Sequence, residues 1–284
     1  MNRNLWIVIG IVAAAVFLFF IGILLAIGLR GSEVNITGRS VGLIEVQGLI
    51  VDARSTVRQI RQFAKEPNVP VILLYVDSPG GIVTPSQEIY SELQRAKAKG
   101  KKLVVSMGTL AASGGYYISA PADVIMASPG TTTGSIGVKM ELPHIDGLLK
   151  KLGVSVDVVK SSEFKDIGSP YRPMTPEENN LMKGVILDVY DQFVTAVAEG
   201  RKLPKDSVLK LADGRVFSGR QAKELGLVDT LGTFHEAIAL AGQMAGITGE
   251  PKVVRLPKPF RLRDFILEDI ASRFLMPRLQ YAWP

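Results

Sequence analysis

The chain begins with an uncharged stretch from Leu5 to Leu29, LWIVIGIVAAAVFLFFIGILLAIGL. It is longer than the ~20 residues a helix needs to cross a bilayer core. It is apolar on every face, which does not suit the surface of a globular domain. Trp6 lies near one end and Arg30 at the other, as two membrane interfaces favour. We therefore expect residues 1–30 to form a single-pass transmembrane anchor. A cleaved signal peptide, with Ala26 and Gly28 as its small-residue site, fits less well, because such apolar cores run to only ~7–15 residues. Arg3 before the span and Arg30 and Arg39 after it leave the orientation undecided by charge.

Residues 31–40 are polar and read as a linker. From Val41 the pattern alternates between short apolar runs and amphipathic stretches. Strands are expected at Val41–Val46, Val69–Asp77, Lys102–Met107, Val124–Ser128 and Val154–Val159. VPVILLYVD, almost wholly apolar and rich in β-branched residues, suits a strand buried on both faces. Helices are expected at Ser55–Lys65, Thr84–Ala98, Glu177–Glu199, Ser218–Leu225 and Thr233–Ala245. The third follows Thr175-Pro176, a capping residue before an N1 proline. This alternation predicts an α/β domain with a largely parallel sheet over residues 41–250. The tail, residues 251–284, carries an amphipathic stretch at Leu262–Met276 with Phe265, Ile266, Ile270 and Phe274. It could pack on its own domain, on a partner subunit or on a membrane surface.

Composition narrows the chemistry. The chain has no cysteine, so disulfides, thiolate metal sites and a cysteine nucleophile are excluded. Two histidines, His144 and His235, cannot build a histidine metal cage. We expect no metal and no cofactor. The net charge of +6 is spread along the sequence, without a basic run interleaved with aromatics. That argues against nucleic acid and suits anionic lipid headgroups.

Three segments could carry chemistry. Asp77-Ser78-Pro79-Gly80-Gly81 ends the buried strand in a tight turn whose N–H groups could hold an oxyanion. Ala111-Ala112-Ser113-Gly114-Gly115-Tyr116-Tyr117 leads from a small-residue turn into a helix, presenting a serine hydroxyl at a helix start. Ser162-Glu163-Phe164-Lys165-Asp166-Ile167 places a lysine in a loop. Alone, the first reads as a plain turn and the last as a solvated cation.

Together they carry a resemblance. DSPGG at 77–81, AASGGYY at 111–117, TTTGSIGV at 131–138 and EFKDIGSPYRPMT at 163–175 resemble the SppA signal peptide peptidases, relatives of the Clp protease and crotonase fold. The likeness runs from about Val41 to Leu240 and fits the short, single-domain form. It implies a serine endopeptidase with Ser113 as nucleophile and Lys165 as general base. Ser135 would orient the lysine amine. Gly114 and either Gly81 or Gly80 would form the oxyanion hole. The implied substrates are signal peptides or other unfolded peptides. The implied setting is the bacterial cytoplasmic membrane with the protease domain outside the cytoplasm. A homo-oligomeric ring or dome is implied as well, in which Ser113 and Lys165 of one site could come from neighbouring chains. A crotonase-type acyl-CoA enzyme and an inactive scaffold are the other readings.

A lysine base must be neutral, which asks for a shift of about 3 units from its ~10.4 reference toward neutrality. Burial beside Phe164 and Ile167 could contribute to it. A carboxylate beside the amine would oppose it, so Asp166 should point away, into a backbone or arginine contact; Arg172, in the same loop, could pair with it or bind a substrate carboxylate. His144, His235, Tyr116 and Tyr117 are expected to be structural bystanders.

Overall fold

The computed structural model describes residue 12, residues 15–19, residue 22 and residues 36–256. The chain divides into two compact units, Met1–Thr37 and Gly38–Pro284. In the first, residues 12, 15–19 and 22 are helical. No helix among the described residues is long and apolar enough to cross a membrane. Most of the expected Leu5–Leu29 anchor lies outside the described residues, as does the amphipathic Leu262–Met276 stretch.

The second unit is mixed α/β around a central sheet. In chain order its elements are β1 (Val41–Gln47), α1 (Arg54–Lys65), β2 (Val71–Ser78), α2 (Val83–Ala98), β3 (Lys102–Ala112), α3 (Gly114–Ser119), β4 (Val124–Ala127) and β5 (Thr132–Gly134). Then come α4 (Asp146–Lys151), a 3-10 turn (Glu163–Asp166), α5 (Pro176–Arg201), α6 (Lys205–Leu209), β6 (Val216–Ser218), α7 (Gly219–Glu224), β7 (Thr230–Leu231), α8 (Phe234–Met244) and β8 (Val253–Arg255). Strands run in the order β6-β5-β3-β2-β1-β8, with β4 and β7 branching from β3. All pairings are parallel except β5 with β6.

Both faces of the sheet are covered, which explains the continuous apolar runs in β1 and β2. On one face Val41, Leu43, Val71, Leu73 and Val104 pack against Ala237 and Ala241 of α8. On the other, Gly42 lies against the Phe63 ring of α1. Phe63 and Ile60 are both completely buried.

The long strand β3 determines where the site forms. The sequence pattern ends it at Met107, yet it continues to Ala112. Val76 pairs with Met107 and Ser78 with Ala111, so the register slips between them. Asp77 holds the slip by accepting from the Leu110 N–H at 3.0 Å. Before the slip β3 pairs with β4; after it, β3 pairs with β5. The tip of β3 thereby changes its neighbour on one side from β4 to β5 while still pairing with β2, and it delivers Ser113 at the carboxyl ends of β2 and β3.

The expected strand at Val154–Val159 does not form: no described strand contains it, and Val154, Val156, Val158 and Val159 are exposed. The stretch has the β-branched pattern of a strand, but the pattern alone does not make one without cross-strand neighbours to pack against. No residue between Ile136 and Glu178 is buried.

Candidate active site

Ser113 joins β3 to α3 with φ 52° and ψ −121°. A serine at positive φ is strained, at a cost of about 1–3 kcal/mol, and persists only where its surroundings enforce it. Two backbone bonds do so. The Ser113 N–H donates to the Gly134 carbonyl at 2.8 Å, and the Ser113 carbonyl accepts from the Tyr117 N–H at 2.8 Å. Ser135 follows Gly134 and is also at positive φ, 51°, with its N–H donated to the Arg215 carbonyl at 2.8 Å. Only one other described non-glycine residue, Lys202, has positive φ. Two of these three residues are thus the serines that the motifs single out.

The Pro-Gly-Gly turn after β2 lies directly against Ser113. Ser78 is fully buried; its hydroxyl donates to the Gly48 carbonyl at 2.6 Å and accepts from the Gly80 N–H at 3.1 Å. Gly80 has φ 96°, and a Cβ there would sit 2.5 Å from the Gly114 nitrogen. A Cβ on Gly114 would meet Ser86 Oγ at 2.7 Å and the Gly81 nitrogen at 3.2 Å. The Gly81 and Gly114 amides are therefore close neighbours. Gly81 donates no backbone hydrogen bond to a described residue, and Gly114 starts a helix whose first amides have no acceptor within it. α3 is only six residues long, so its dipole is small, and any anion stabilisation here rests on the two N–H groups themselves.

Ser113, Gly114, Gly81 and Ser135 line one cavity of about 750 Å³. Its walls include Leu49, Val83, Tyr117, Ile186, Tyr190 and Phe193. Tyr117 packs at a tilt against Tyr90 and edge-on against Phe193, with centroids 5.0 Å apart in each case. Tyr116 instead is wholly buried and donates its hydroxyl to the Leu227 carbonyl. Tyr117 thus packs against its neighbours as expected and also lines the cleft. It lies one helical turn past Ser113, a spacing already visible in AASGGYY. The wall from α5 had no comparable signal, because Ile186, Tyr190 and Phe193 read as an ordinary helix face.

Lys165 does not line this cavity. It sits exposed in the 3-10 turn Glu163–Asp166. No hydrogen bond or ion pair among the described residues engages its ammonium. Asp166 points away from it, as the sequence requires of a lysine base, and pairs with Arg172 and Lys160. Those two cations hold the Asp166 carboxyl well below the usual carboxylate range. His144 and His235 are exposed and outside the cavity. No cluster of metal-ligating side chains occurs among the described residues.

The sequence matches Peptidase family S49 over residues 95–248 and the Clp protease family over residues 47–132. The chain belongs to peptidase family S49. It is a serine peptidase with a Clp protease-like domain. A relative from Synechocystis sp., named only as an inferred protease, is 44% identical over 229 residues, 78% of this chain and 82% of its own. Protease 4 of Salmonella typhi is 42% identical over 218 residues, 74% of this chain and 35% of its own. The chloroplastic serine protease SPPA of Arabidopsis thaliana is 32% identical over 237 residues, 82% of this chain and 35% of its own. This S49 chain thus matches about four fifths of one relative and about a third of the two larger ones.

Proposed function

We propose that this S49 peptidase is a membrane-anchored endopeptidase using Ser113 as nucleophile and Lys165 as general base, and that it degrades signal peptides left in the bacterial cytoplasmic membrane. The observation that carries the reading is the strained Ser113 facing the Gly81 and Gly114 amides, with Ser135 tied beside it through Gly134. Neutral Lys165 takes the Ser113 proton, and the alkoxide oxygen attacks the scissile carbonyl. The oxyanion accepts from the two N–H groups while the lysine returns its proton to the leaving amine. Water, deprotonated by the same lysine, then hydrolyses the acyl-enzyme. Because the Gly80 N–H is already donated to Ser78 Oγ, Gly81 is the better second donor. The apolar cleft suits apolar side chains. The Leu5–Leu29 span would hold the domain near the bilayer, on its outer face, where such peptides lie.

Lys165 stands apart from the Ser113 cleft of its own chain, and the segment bearing it exposes apolar residues. Both observations support a homo-oligomer in which Lys165 reaches the Ser113 of a neighbour. The reading is tested with the full chain in detergent, acting on a leucine-rich peptide. Ser113→Ala and Lys165→Ala should each reduce turnover at least ~10³-fold, while Lys139→Ala, a cleft lysine paired with Glu141, should retain it. Full activity in Ser113→Ala or Lys165→Ala would overturn the dyad.

A further inference from the structure

The loop that presents Lys165 is held by one guanidinium. The Arg172 Nε donates to Asp166 Oδ2 at 2.9 Å, and Nη2 donates to Asp166 Oδ1 at 2.8 Å. Nη2 also donates to Glu178 Oε1 at 2.5 Å, and Nη1 to Glu178 Oε2 at 2.7 Å and to the Pro173 carbonyl at 3.1 Å. All five guanidinium hydrogens are accounted for, in two bidentate forks and one carbonyl contact. Glu178 is only 2% exposed and also accepts from the Thr175 N–H, which makes it part of the α5 cap. From the other side, Lys160 Nζ donates to Asp166 Oδ1 at 2.7 Å and to the Glu163 carbonyl at 2.8 Å. Both ends of the turn are therefore gripped, while the ammonium of Lys165 is left unengaged.

This arrangement is more than a brace needs to be. Asp166 is the residue next to Lys165. An ionised carboxylate free to swing toward the amine would favour the ammonium form and remove the base. We propose that Arg172 is a positioning residue that sequesters Asp166 against the start of α5, so that Lys165 is presented without a competing counter-ion. The inference rests on the reading of Lys165 as general base. Lysine in place of Arg172 would keep the charge but not the two forks, so it should sequester Asp166 only in part.

The test is the pH dependence of kcat/KM for the full chain in detergent, in wild type, Arg172→Gln, Arg172→Lys, Asp166→Asn and the double variant Arg172→Gln/Asp166→Asn. In Arg172→Gln the ascending limb should move to higher pH by about one unit or more, a roughly tenfold loss at a fixed pH below it. Arg172→Lys should show a smaller move in the same direction. Asp166→Asn alone should not raise the limb, and adding it to Arg172→Gln should bring the limb back toward wild type. A merely structural brace lowers the amplitude and leaves the limb in place, which would overturn the proposal. So would a limb that rises in Arg172→Gln and stays raised in the double variant. If Arg172→Gln fails to assemble, a limb that rises in Asp166→Asn would overturn it equally. Activity surviving in Lys165→Ala would instead remove the base assignment, whatever the position of the limb.

Discussion

At the scale of single residues, the Gly81 and Gly114 amides are placed by the absence of side chains. A methyl group on Gly114 would come within 2.7 Å of Ser86 Oγ and 3.2 Å of both Gly80 Cα and the Gly81 nitrogen. Ser86 is buried, and its hydroxyl donates to the Ile82 carbonyl at 3.0 Å, so it has little room to yield. The methyl would push the two N–H groups apart. Gly114→Ala should therefore lower kcat by about 10²–10³-fold, the loss expected for one oxyanion donor, with KM little changed. Steady-state kinetics beside a thermal melt would check this; kcat within a few-fold of wild type would sink the role given to this amide pair. The glycines themselves were legible in the sequence, but the choice between Gly80 and Gly81 was not. It depends on where the Ser78 hydroxyl points, and only the folded turn sets that.

At the scale of elements, three of the five helices expected from the sequence begin on capping residues. Thr175, Ser218 and Thr233 each cap a helix and form a reciprocal box with Glu178, Gln221 and Glu236. The end of β3 was not legible, since the slip near Gly108 depends on Asp77, a residue of another strand. The α5 cap adds a pH prediction. Hydrogen bonds from Arg172, and then from the Thr175 N–H, lower the Glu178 carboxyl to about 2. A carboxyl lowered by folding contributes stability that is present above its unfolded value of ~4.3 and lost as pH falls toward the folded value. Wild type should therefore melt above Glu178→Gln at pH 7, and the two melting temperatures should converge between about pH 4 and pH 2. A gap that stays constant across that range would mean the carboxylate charge contributes nothing to the cap.

At the scale of the whole molecule, the segment from Gly137 to Glu177 has no buried residue. It exposes Leu148, Leu152, Val154, Val156 and Val158 alongside Lys165. An extended apolar run of this kind is unfavourable in water unless something covers it. The same segment carries Lys165, the proposed base, which does not line the Ser113 cleft of its own chain. A single hypothesis accounts for both facts: a head-to-tail assembly in which the segment of one chain packs on the next and inserts Lys165 beside its Ser113. Such a contact would be heterologous, closing into a ring where the rotation between subunits allows. The Val154–Val159 stretch was read as a strand from its apolar pattern, yet no described strand contains it. The arrangement has a consequence that a self-contained site does not share. When Ser113→Ala and Lys165→Ala chains are co-expressed, a serine from the second can meet a lysine from the first. Random mixing leaves about a quarter of shared sites intact, so the mixed assembly should recover about a quarter of wild-type activity although neither parent has any. If Ser113 and Lys165 of one site belong to one chain, every site carries a lesion and mixing recovers nothing. Native mass spectrometry in detergent would verify that both chains share an assembly. An inactive but verified mixed assembly would rule out the shared site.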